Sequence, residues 1–163
     1  MSEEQSIQTE LTAKFPFLKE LVRVQRARRV WADVPREHVY EVFDFAVKGM
    51  NFPILCAITG IDQGATFGAI YHLARESGVV LSLVTAVPRE KPVLQTVTAY
   101  FPAADAYERE LIDLFGMQVE GLPEGNRYPL PDNWPAGEYP LRKDWKPAAA
   151  QQSAPPKSEV KNE

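Results

Sequence analysis

The chain has 163 residues, of which 45% are hydrophobic and 25% charged, and its formal net charge is −4. These values are ordinary for one globular domain and give no overall bias toward nucleic acid. A single cysteine, Cys56, and two histidines exclude an internal disulfide and a cysteine-ligated zinc or iron–sulfur site built within one chain. No apolar run approaches 18 residues, and the first 15 residues are too acidic and polar for a secretory signal. We therefore expect an intracellular, soluble chain.

The first part of the chain predicts two helices with a strand between them. Apolar residues at helical spacing predict a first helix over about 10–25. Alternating polar and apolar residues predict a strand over 29–34, and Pro35 then suits the first turn of a helix. That second helix is predicted over about 36–49, because one face of it is apolar throughout.

Three longer strands and a short one follow. The apolar run 54–61 predicts a buried strand, and the alternating segment 67–74 predicts its neighbour across a turn. Residues 79–87 are largely apolar on both faces, which is typical of a central strand, and 95–100 predicts a short additional one. Consecutive hairpins indicate an α+β fold, in which helices cover a small, mostly antiparallel sheet.

A further helix is predicted between Pro102 and Gly116, since proline favours the first turn of a helix and glycine its end. Asp105, Arg109 and Asp113 are spaced four residues apart and therefore form one row on this helix. Arg109 is positioned to bridge both carboxylates.

The charged row has three interpretations. Spacing alone favours a solvated helix face, whose exposed ion pairs contribute little to stability. Alternatively, the carboxylates hold Arg109 rigid so that it meets a partner. Catalysis by Glu108, Glu110 or Asp113 is the third, but it needs a pocket and a third group that the neighbouring sequence does not supply. Glu108 and Glu110 are expected to project to either side of the row.

The segment 123–147, called the arm below, is extended and rich in proline. Its prolines rule out a helix and a central strand. Disordered linkers are poor in aromatic residues, but the arm contains Tyr128, Trp134, Tyr139 and Trp145. It is therefore predicted to wrap a partner, with wrapping of its own domain as the alternative. The chain then divides into an α+β domain over 1–122, the arm, and a disordered tail over 148–163.

Two motifs make the sequence recognisable. Residues 107–116 read Tyr-Glu-Arg-Glu-Leu-Ile-Asp-Leu-Phe-Gly, and residues 139–145 read Tyr-Pro-Leu-Arg-Lys-Asp-Trp. Both resemble, in the same order, signatures of the thirty-kilodalton peripheral subunit of respiratory complex I, the NADH–quinone oxidoreductase. The resemblance covers about 35–147. That family includes the related subunit of energy-converting, membrane-bound nickel–iron hydrogenases, and its fold is an α+β domain with an extended C-terminal arm.

After the first motif the chain departs from the complex I pattern. Complex I members usually have a histidine before the proline that follows the signature helix, and then an arginine-rich stretch. This chain has Leu122 before Pro123 and only Arg127 in the stretch that follows. The departure resembles the hydrogenase-type members, so a hydrogenase subunit is the preferred interpretation and the thirty-kilodalton subunit of complex I the alternative.

The resemblance implies a structural subunit without a cofactor or catalytic residues of its own. Its partners would be the large catalytic subunit and the small iron–sulfur subunit of one complex at the cytoplasmic face of the cell membrane. Iron–sulfur clusters and nickel–iron or quinone sites are expected in those partners. The residues expected to contact partners are Glu108, Arg109, Glu110, Asp113, Trp134, Tyr139, Leu141, Arg142, Lys143, Asp144 and Trp145.

Three smaller features add alternatives. Segment 19–29 carries five basic residues against one acidic residue, which indicates a solvated helix face running into an edge strand more than a protein, phosphate or lipid contact. Cys56 lies in an apolar run and is expected to be a buried, inert thiol. His72 alternates on a strand and is expected to be a satisfied polar residue. A stand-alone carboxylate enzyme is the remote alternative for the whole chain.

Overall fold

The computed structural model describes residues 1–147, so the predicted tail over 148–163 lies outside the described residues. The helices are α1 (Glu3–Lys14), α2 (Val39–Asp44) and α3 (Ala104–Phe115). The strands are β1 (Val22–Arg26), β2 (Arg29–Asp33), β3 (Ile54–Asp62), β4 (Thr66–Ala74), β5 (Val80–Pro88), β6 (Val93–Gln95) and β7 (Gln118–Glu120). Short 3₁₀ turns lie at Pro16–Leu18 and Arg36–His38, and a π-helical turn at Phe45–Gly49 extends α2.

Five strands form one sheet in the order β1–β2–β5–β4–β3, and β6 pairs with β7 in a second sheet. Strands β3, β4 and β5 form an antiparallel meander, and β1 and β2 form a hairpin. Strand β2 runs parallel to β5, and β6 parallel to β7. The predicted α+β class with a mostly antiparallel sheet is confirmed, and β5 is the central strand that its two apolar faces predicted.

The core lies between one face of the large sheet and the helices. Tyr71 of β4 is fully buried there and meets Phe43 of α2 edge to face, with ring centroids 5.4 Å apart. Helix α3 approaches β3 at Gly60, where an added Cβ would lie 2.5 Å from the Phe115 ring and 2.8 Å from Leu111. The absence of a side chain at Gly60 therefore sets how closely the helix packs on the strand.

The opposite face of the sheet has a polar centre at His72. Its Nδ1 lies 3.0 Å from Ser82 Oγ on β5, and its Nε2 lies 3.2 Å from Thr59 Oγ1 on β3. Burial, followed by the charge of Arg29, lowers the pKa of His72. Both ring nitrogens have partners across the sheet, which agrees with the prediction of a satisfied polar residue.

The predicted helix over 10–25 is wrong. Helix α1 begins earlier, where Ser2 and Gln5 form a capping box, and it ends at Lys14. Pro16 then starts a 3₁₀ turn, and the backbone of β1 pairs with β2. The apolar spacing that suggested one helix arises from three separate elements.

Two strand predictions also need correction. Strand β3 lies at the edge of the sheet, and Cys56 at its bulge is exposed rather than buried. The short strand predicted over 95–100 is wrong, because the observed strand β6 ends at Gln95 and the following turn bonds to α3 through the Val97 N–H. Strand β7 was not predicted; its three residues are too few to show a period.

The basic segment 19–29 covers β1 and the turn that leads into β2, so the predicted edge strand is confirmed and the predicted helix face is wrong. Within residues 1–147, the helices are too short or too polar to cross a membrane.

Gly60→Ala is expected to lower the free energy of unfolding by about 1–3 kcal/mol, because the added methyl group overlaps Phe115 and pushes α3 away from β3. Urea unfolding followed by circular dichroism measures the change. Gly68→Ala is the matched control, since a Cβ at that strand glycine would make only contacts of 3.5 Å or longer. Equal destabilisation by the two substitutions would contradict the close approach of α3.

Candidate partner-binding surface

Helix α3 lies between the sheet and the arm. Its apolar residues Leu111 and Phe115 are buried in the core, and Gly116 ends the helix in the left-handed region with φ of 69°. The arm crosses the helix on its charged side, where arm groups bond to Arg109 and Asp113. The charged row therefore determines how the arm is attached.

Arg109 is fixed between its own helix and the beginning of the arm. Its Nε and Nη2 donate to both carboxylate oxygens of Asp105, at 2.9 and 2.8 Å, and hydrogen bonding to this guanidinium lowers the pKa of Asp105. Nη2 also donates to the Pro123 carbonyl at 2.8 Å. Gly125 passes so close that a Cβ there would overlap the guanidinium.

Asp113 is bound by the arm and not by Arg109, so the prediction that Arg109 bridges both carboxylates is wrong. Arg127 Nε donates to the two oxygens of Asp113 at 3.0 and 3.1 Å, and the Leu130 N–H donates at 3.2 Å. Arg127 Nη1 also donates to the Trp134 carbonyl at 3.0 Å. Arg109 turns toward Asp105 and the Pro123 carbonyl, and the guanidinium of Arg127 occupies the carboxylate of Asp113 instead.

A second carboxylate, Asp62 at the end of β3, holds the far end of the arm. It is only 4% exposed and accepts hydrogen bonds from the N–H groups of Gly64 and Lys143, both at 2.8 Å. Arg89 Nη1 lies 2.9 Å from both of its oxygens, and Arg89 Nη2 forms an ion pair with Asp144 at 2.5 Å. Arg89 thus joins a domain carboxylate to an arm carboxylate.

The environment of Asp62 keeps it ionised. Burial by itself would raise the pKa of this carboxyl. The hydrogen bonds from the N–H groups of Lys143 and Gly64 and from Arg89 outweigh burial and lower the pKa to about 2. Asp62 therefore carries a full negative charge at neutral pH, and that charge strengthens the hydrogen bond that holds the arm.

Arg142 fastens the arm to the end of α3. Its Nε donates to the Phe115 carbonyl at 2.7 Å, and its guanidinium lies 4.2 Å from the ring centroid of Tyr139 and 5.0 Å from that of Phe67. The Leu141 N–H donates to the carbonyl of Leu114 at 3.1 Å. The structure thus gives Arg142, together with the backbone of Lys143 and the side chain of Asp144, an internal role that the sequence analysis did not predict.

The two arm tryptophans pack against each other. The Trp134 and Trp145 ring centroids lie 6.0 Å apart at an interplanar angle of 33°. Trp134 Nε1 donates to the Glu138 carbonyl at 2.9 Å, and Trp145 Nε1 donates to the Glu138 carboxylate at 3.2 Å. The pair closes a loop within the arm, which fixes the arm's shape.

Glu108 lies inside the protein, so the expectation that it projects from the helix surface is wrong. Its residue is 2% exposed, and its carboxylate accepts hydrogen bonds from the Val97 N–H at 2.7 Å and Thr96 Oγ1 at 2.6 Å. Burial raises the pKa of Glu108. This side chain positions the turn after β6 and is not available to a partner.

The outward side of α3 and the arm carries the groups that remain accessible. Leu141 is 52% exposed and Tyr128 47% exposed, although the Leu141 N–H donates to the Leu114 carbonyl of α3. Glu110 on α3 is half-buried, as are Trp134, Tyr139 and Trp145. This set forms one candidate surface for a partner.

Sequence reasoning missed Asp62, Arg89 and Arg127 as the residues that attach the arm. Asp62 was noted only as part of a turn, and its N–H partner Lys143 is 81 residues away in sequence. The available signal was the Asp-Gln-Gly sequence at 62–64, which places a carboxylate at the end of a strand with an unpaired neighbouring amide. Within residues 1–147, groups of three or more His, Cys, Asp or Glu side chains arranged to hold a metal ion do not occur.

The two motifs that build this surface also fall within a region that matches a known family. The model of the respiratory-chain NADH dehydrogenase 30 kDa subunit matches residues 32–151. The chain belongs to this family. The match covers somewhat more than the 35–147 that the motifs indicated.

Two relatives match along most of their own length. A subunit of the F420H2 dehydrogenase of Methanosarcina mazei is 34% identical over 138 residues, which are 83% of this chain and 87% of the relative. Membrane-bound hydrogenase subunit beta of Pyrococcus furiosus is 30% identical over 154 residues, which are 90% of this chain and 88% of the relative.

Solved structures show the same fold. A chain of the membrane-bound sulfane sulfur reductase, an archaeal respiratory membrane complex, superposes with a TM-score of 0.80 at 29% identity, covering 93% of this chain and 90% of that one. The trypsin-resistant fragment of Nqo5 superposes with a TM-score of 0.61 at 28% identity, covering 72% of this chain and 99% of the fragment. The F420H2 dehydrogenase and membrane-bound hydrogenase relatives are named as subunits, and the sulfane sulfur reductase is a respiratory membrane complex, so these relatives belong to hetero-oligomers.

Asp62→Asn is expected to lower the free energy of unfolding by about 2 kcal/mol at pH 7, because an amide cannot accept from every buried donor that surrounds Asp62. It should also release the arm, so that trypsin cuts after Arg142 or Lys143 faster than in the wild-type chain. Asp132→Asn is the matched control on the exposed surface of the arm. If both variants resist trypsin like the wild type, Asp62 does not hold the arm.

The stability of the chain should depend on pH through the same carboxyl, that of Asp62. Its pKa of about 2 in the folded chain lies below the ordinary value of 3.8, so its contribution to the unfolding free energy is fully present above about pH 5. That contribution is lost progressively as the pH falls from about 5 to about 1. The difference in unfolding free energy between wild type and Asp62→Asn should therefore shrink over this window, and a constant difference would contradict the assignment.

Proposed function

We propose that this chain is a structural subunit of the peripheral arm of a membrane-bound redox complex of the energy-converting hydrogenase type. In that complex it docks onto the large catalytic subunit and contacts the small iron–sulfur subunit. The chain associates with the membrane only through the complex, on its cytoplasmic side. The thirty-kilodalton subunit of a proton-pumping complex I is the alternative.

The nearly complete length of the matches carries this proposal. Both the hydrogenase subunit beta and the archaeal sulfane sulfur reductase chain align with 90% or more of this chain. Both names denote membrane-bound redox assemblies. The arm is included in these alignments, so the likeness extends to the part of the chain that carries the candidate partner surface.

The chemistry of the chain supports a role without a cofactor of its own. One cysteine and two histidines are too few to ligate an iron–sulfur or nickel–iron site alone. Both nitrogens of His72 already have hydrogen-bond partners. We therefore place the clusters and the nickel–iron or quinone site of the complex in the partner subunits.

A complex I-type dehydrogenase remains the alternative because the matching family model is that of the complex I 30 kDa subunit, and the F420H2 dehydrogenase relative aligns over 83% of this chain. Leu122 and the single Arg127 favour the hydrogenase type. In the structure, the Arg127 side chain donates hydrogen bonds to Asp113 and to the carbonyl of Trp134, so it attaches the arm to α3.

Purification of the tagged chain from native membranes in mild detergent tests this proposal. The expected result is co-purification of a large and a small subunit, with nickel and iron in the complex. Iron and flavin without nickel would favour the dehydrogenase alternative. Recovery of the chain alone under conditions that preserve known membrane complexes would overturn the proposal. The chain expressed alone should be colourless.

Leu141→Glu is expected to reduce recovery of the complex about thirtyfold while leaving the isolated chain as stable as the wild type. Leu141 is 52% exposed, and only its backbone bonds to α3. A carboxylate at an apolar anchor of an interface typically costs at least as much as truncation to alanine, about 2 kcal/mol. Quantitative pull-down and thermal unfolding measure the two effects.

Leu141→Met is the control, because it keeps an apolar side chain of similar size. Its recovery should equal that of the wild type. Normal assembly of Leu141→Glu would show that this side of the arm does not face a partner.

A further inference from the structure

The hairpin of β1 and β2 places arginines on one face with too few carboxylates around them. Residues 19–29 carry a net charge of +4, whereas the remainder of the chain carries −8. In the strand pairing, Arg26 lies directly opposite Arg29, and Arg23 lies opposite Trp31. Because strand residues alternate in direction, Arg29 and Trp31 lie on the same face of the sheet as their cross-strand partners. We call Arg23, Arg26, Arg29 and Trp31 the arginine face.

Only one arginine of this face is neutralised within the described residues. Arg23 forms an ion pair of 2.5 Å with Asp33 and lies 5.5 Å from the Trp31 ring centroid. Across residues 1–147, ion pairs to Arg26 and Arg29 are not found, and the hydrogen bond given by the Arg29 side chain goes to the Arg28 carbonyl. Like charges directly opposite on paired strands destabilise a sheet. The chain therefore maintains a repulsive pair where two neutral residues would suit the strands better.

The arginine face is also sterically open. Strand β1 is the first strand of the sheet, so its outer edge is unpaired, and Val24 within it is 37% exposed. Helix α1 packs against β1, where Gln8 donates to the Val22 carbonyl and Glu4 accepts from the Arg28 N–H. The side chains of Arg23 and Arg26 are exposed, so a neighbouring segment can approach the arginine face.

We propose that the arginine face binds an acidic segment of a partner subunit, whose carboxylates pair with Arg26 and Arg29. This inference rests on the proposed function, since it assigns a second contact within the same complex. Charge complementarity argues for this occupant: Arg26 and Arg29 lie opposite each other in the strand pairing, and neither has a carboxylate partner within residues 1–147, so both can donate N–H groups to carboxylate oxygens. Trp31 adds an aromatic contact that suits a protein segment.

Protection of the sheet edge against aggregation is the competing explanation for charged residues on β1. It accounts for Arg23 and Arg26, which lie on the edge strand. It does not account for Arg29, which lies on the inner strand β2 between β1 and β5. The two explanations also differ in their consequences, because loss of edge protection causes self-association and loss of a partner contact does not.

The double variant Arg26→Gln with Arg29→Gln tests the proposal in the complex purified from native membranes. Relief of the repulsion should leave the melting temperature of the isolated chain unchanged or raised. Recovery of the partner subunits should fall about tenfold, and the residual binding should depend less on NaCl than that of the wild type. Size-exclusion chromatography should show the isolated variant as monomeric as the wild type.

Arg28→Gln with Lys48→Gln is the control with the same change in net charge. Arg28 lies in the turn with its guanidinium near Gly78, and Lys48 lies near α2 in an ion pair with Asp44, so neither belongs to the arginine face. The proposal is supported if the control variant recovers as much of the partner subunits as the wild type does and the double variant of Arg26 and Arg29 recovers less. Equal recovery in all three proteins, or self-association of the double variant, would overturn it.

Two further outcomes separate this proposal from others. If the wild-type chain binds phosphatidylglycerol vesicles through Arg26 and Arg29 while complex recovery is unaffected, the face binds lipid phosphates and the proposal fails. If the wild-type chain retains no partner at all, the proposed function itself fails. If Leu141→Glu abolishes assembly and the arginine double variant does not, the proposed function stands and this inference alone is wrong.

Discussion

The arm stays on its domain because two carboxylates of low solvent exposure, Asp113 and Asp62, accept hydrogen bonds from it. Asp113 and Asp62 each accept a backbone N–H from the arm and an arginine side chain. A buried charge is costly unless several donors surround it, and the arm completes the set of donors around each carboxylate. The proline-rich segment gains a fixed path from these contacts, without forming a helix or a strand of its own.

This arrangement explains why the two motifs occur together. The first motif supplies Asp113 and the Phe115 carbonyl on α3, and the second supplies Arg142 and the Lys143 N–H. Within the chain, they form one structural unit that attaches the arm. A partner then meets a surface that is already shaped, which reduces the ordering entropy lost on binding.

The sequence predicted the parts of the fold that depend on local patterns. Helix α3 and strands β4 and β5 lie within two residues of their predicted bounds, because caps and alternation are local signals. The arm partners of Asp62 and Asp113 could not be predicted, since they depend on the chain returning to the end of β3 after 81 residues and to α3 after 14 residues. Arg109 was paired with the wrong second partner for the same reason: spacing on one helix cannot show that a guanidinium from the arm lies closer.

Hydrogen exchange of the isolated wild-type chain, followed by mass spectrometry or NMR, tests the central claim most directly. The amides of Leu130, Leu141 and Lys143 donate to Asp113, the Leu114 carbonyl and Asp62. If the arm is attached in the absence of partners, these three amides should exchange at least about tenfold more slowly than those of a flexible segment. Exchange of all three at the rate of an unstructured peptide would show that the arm becomes ordered only in the complex, and would contradict this account.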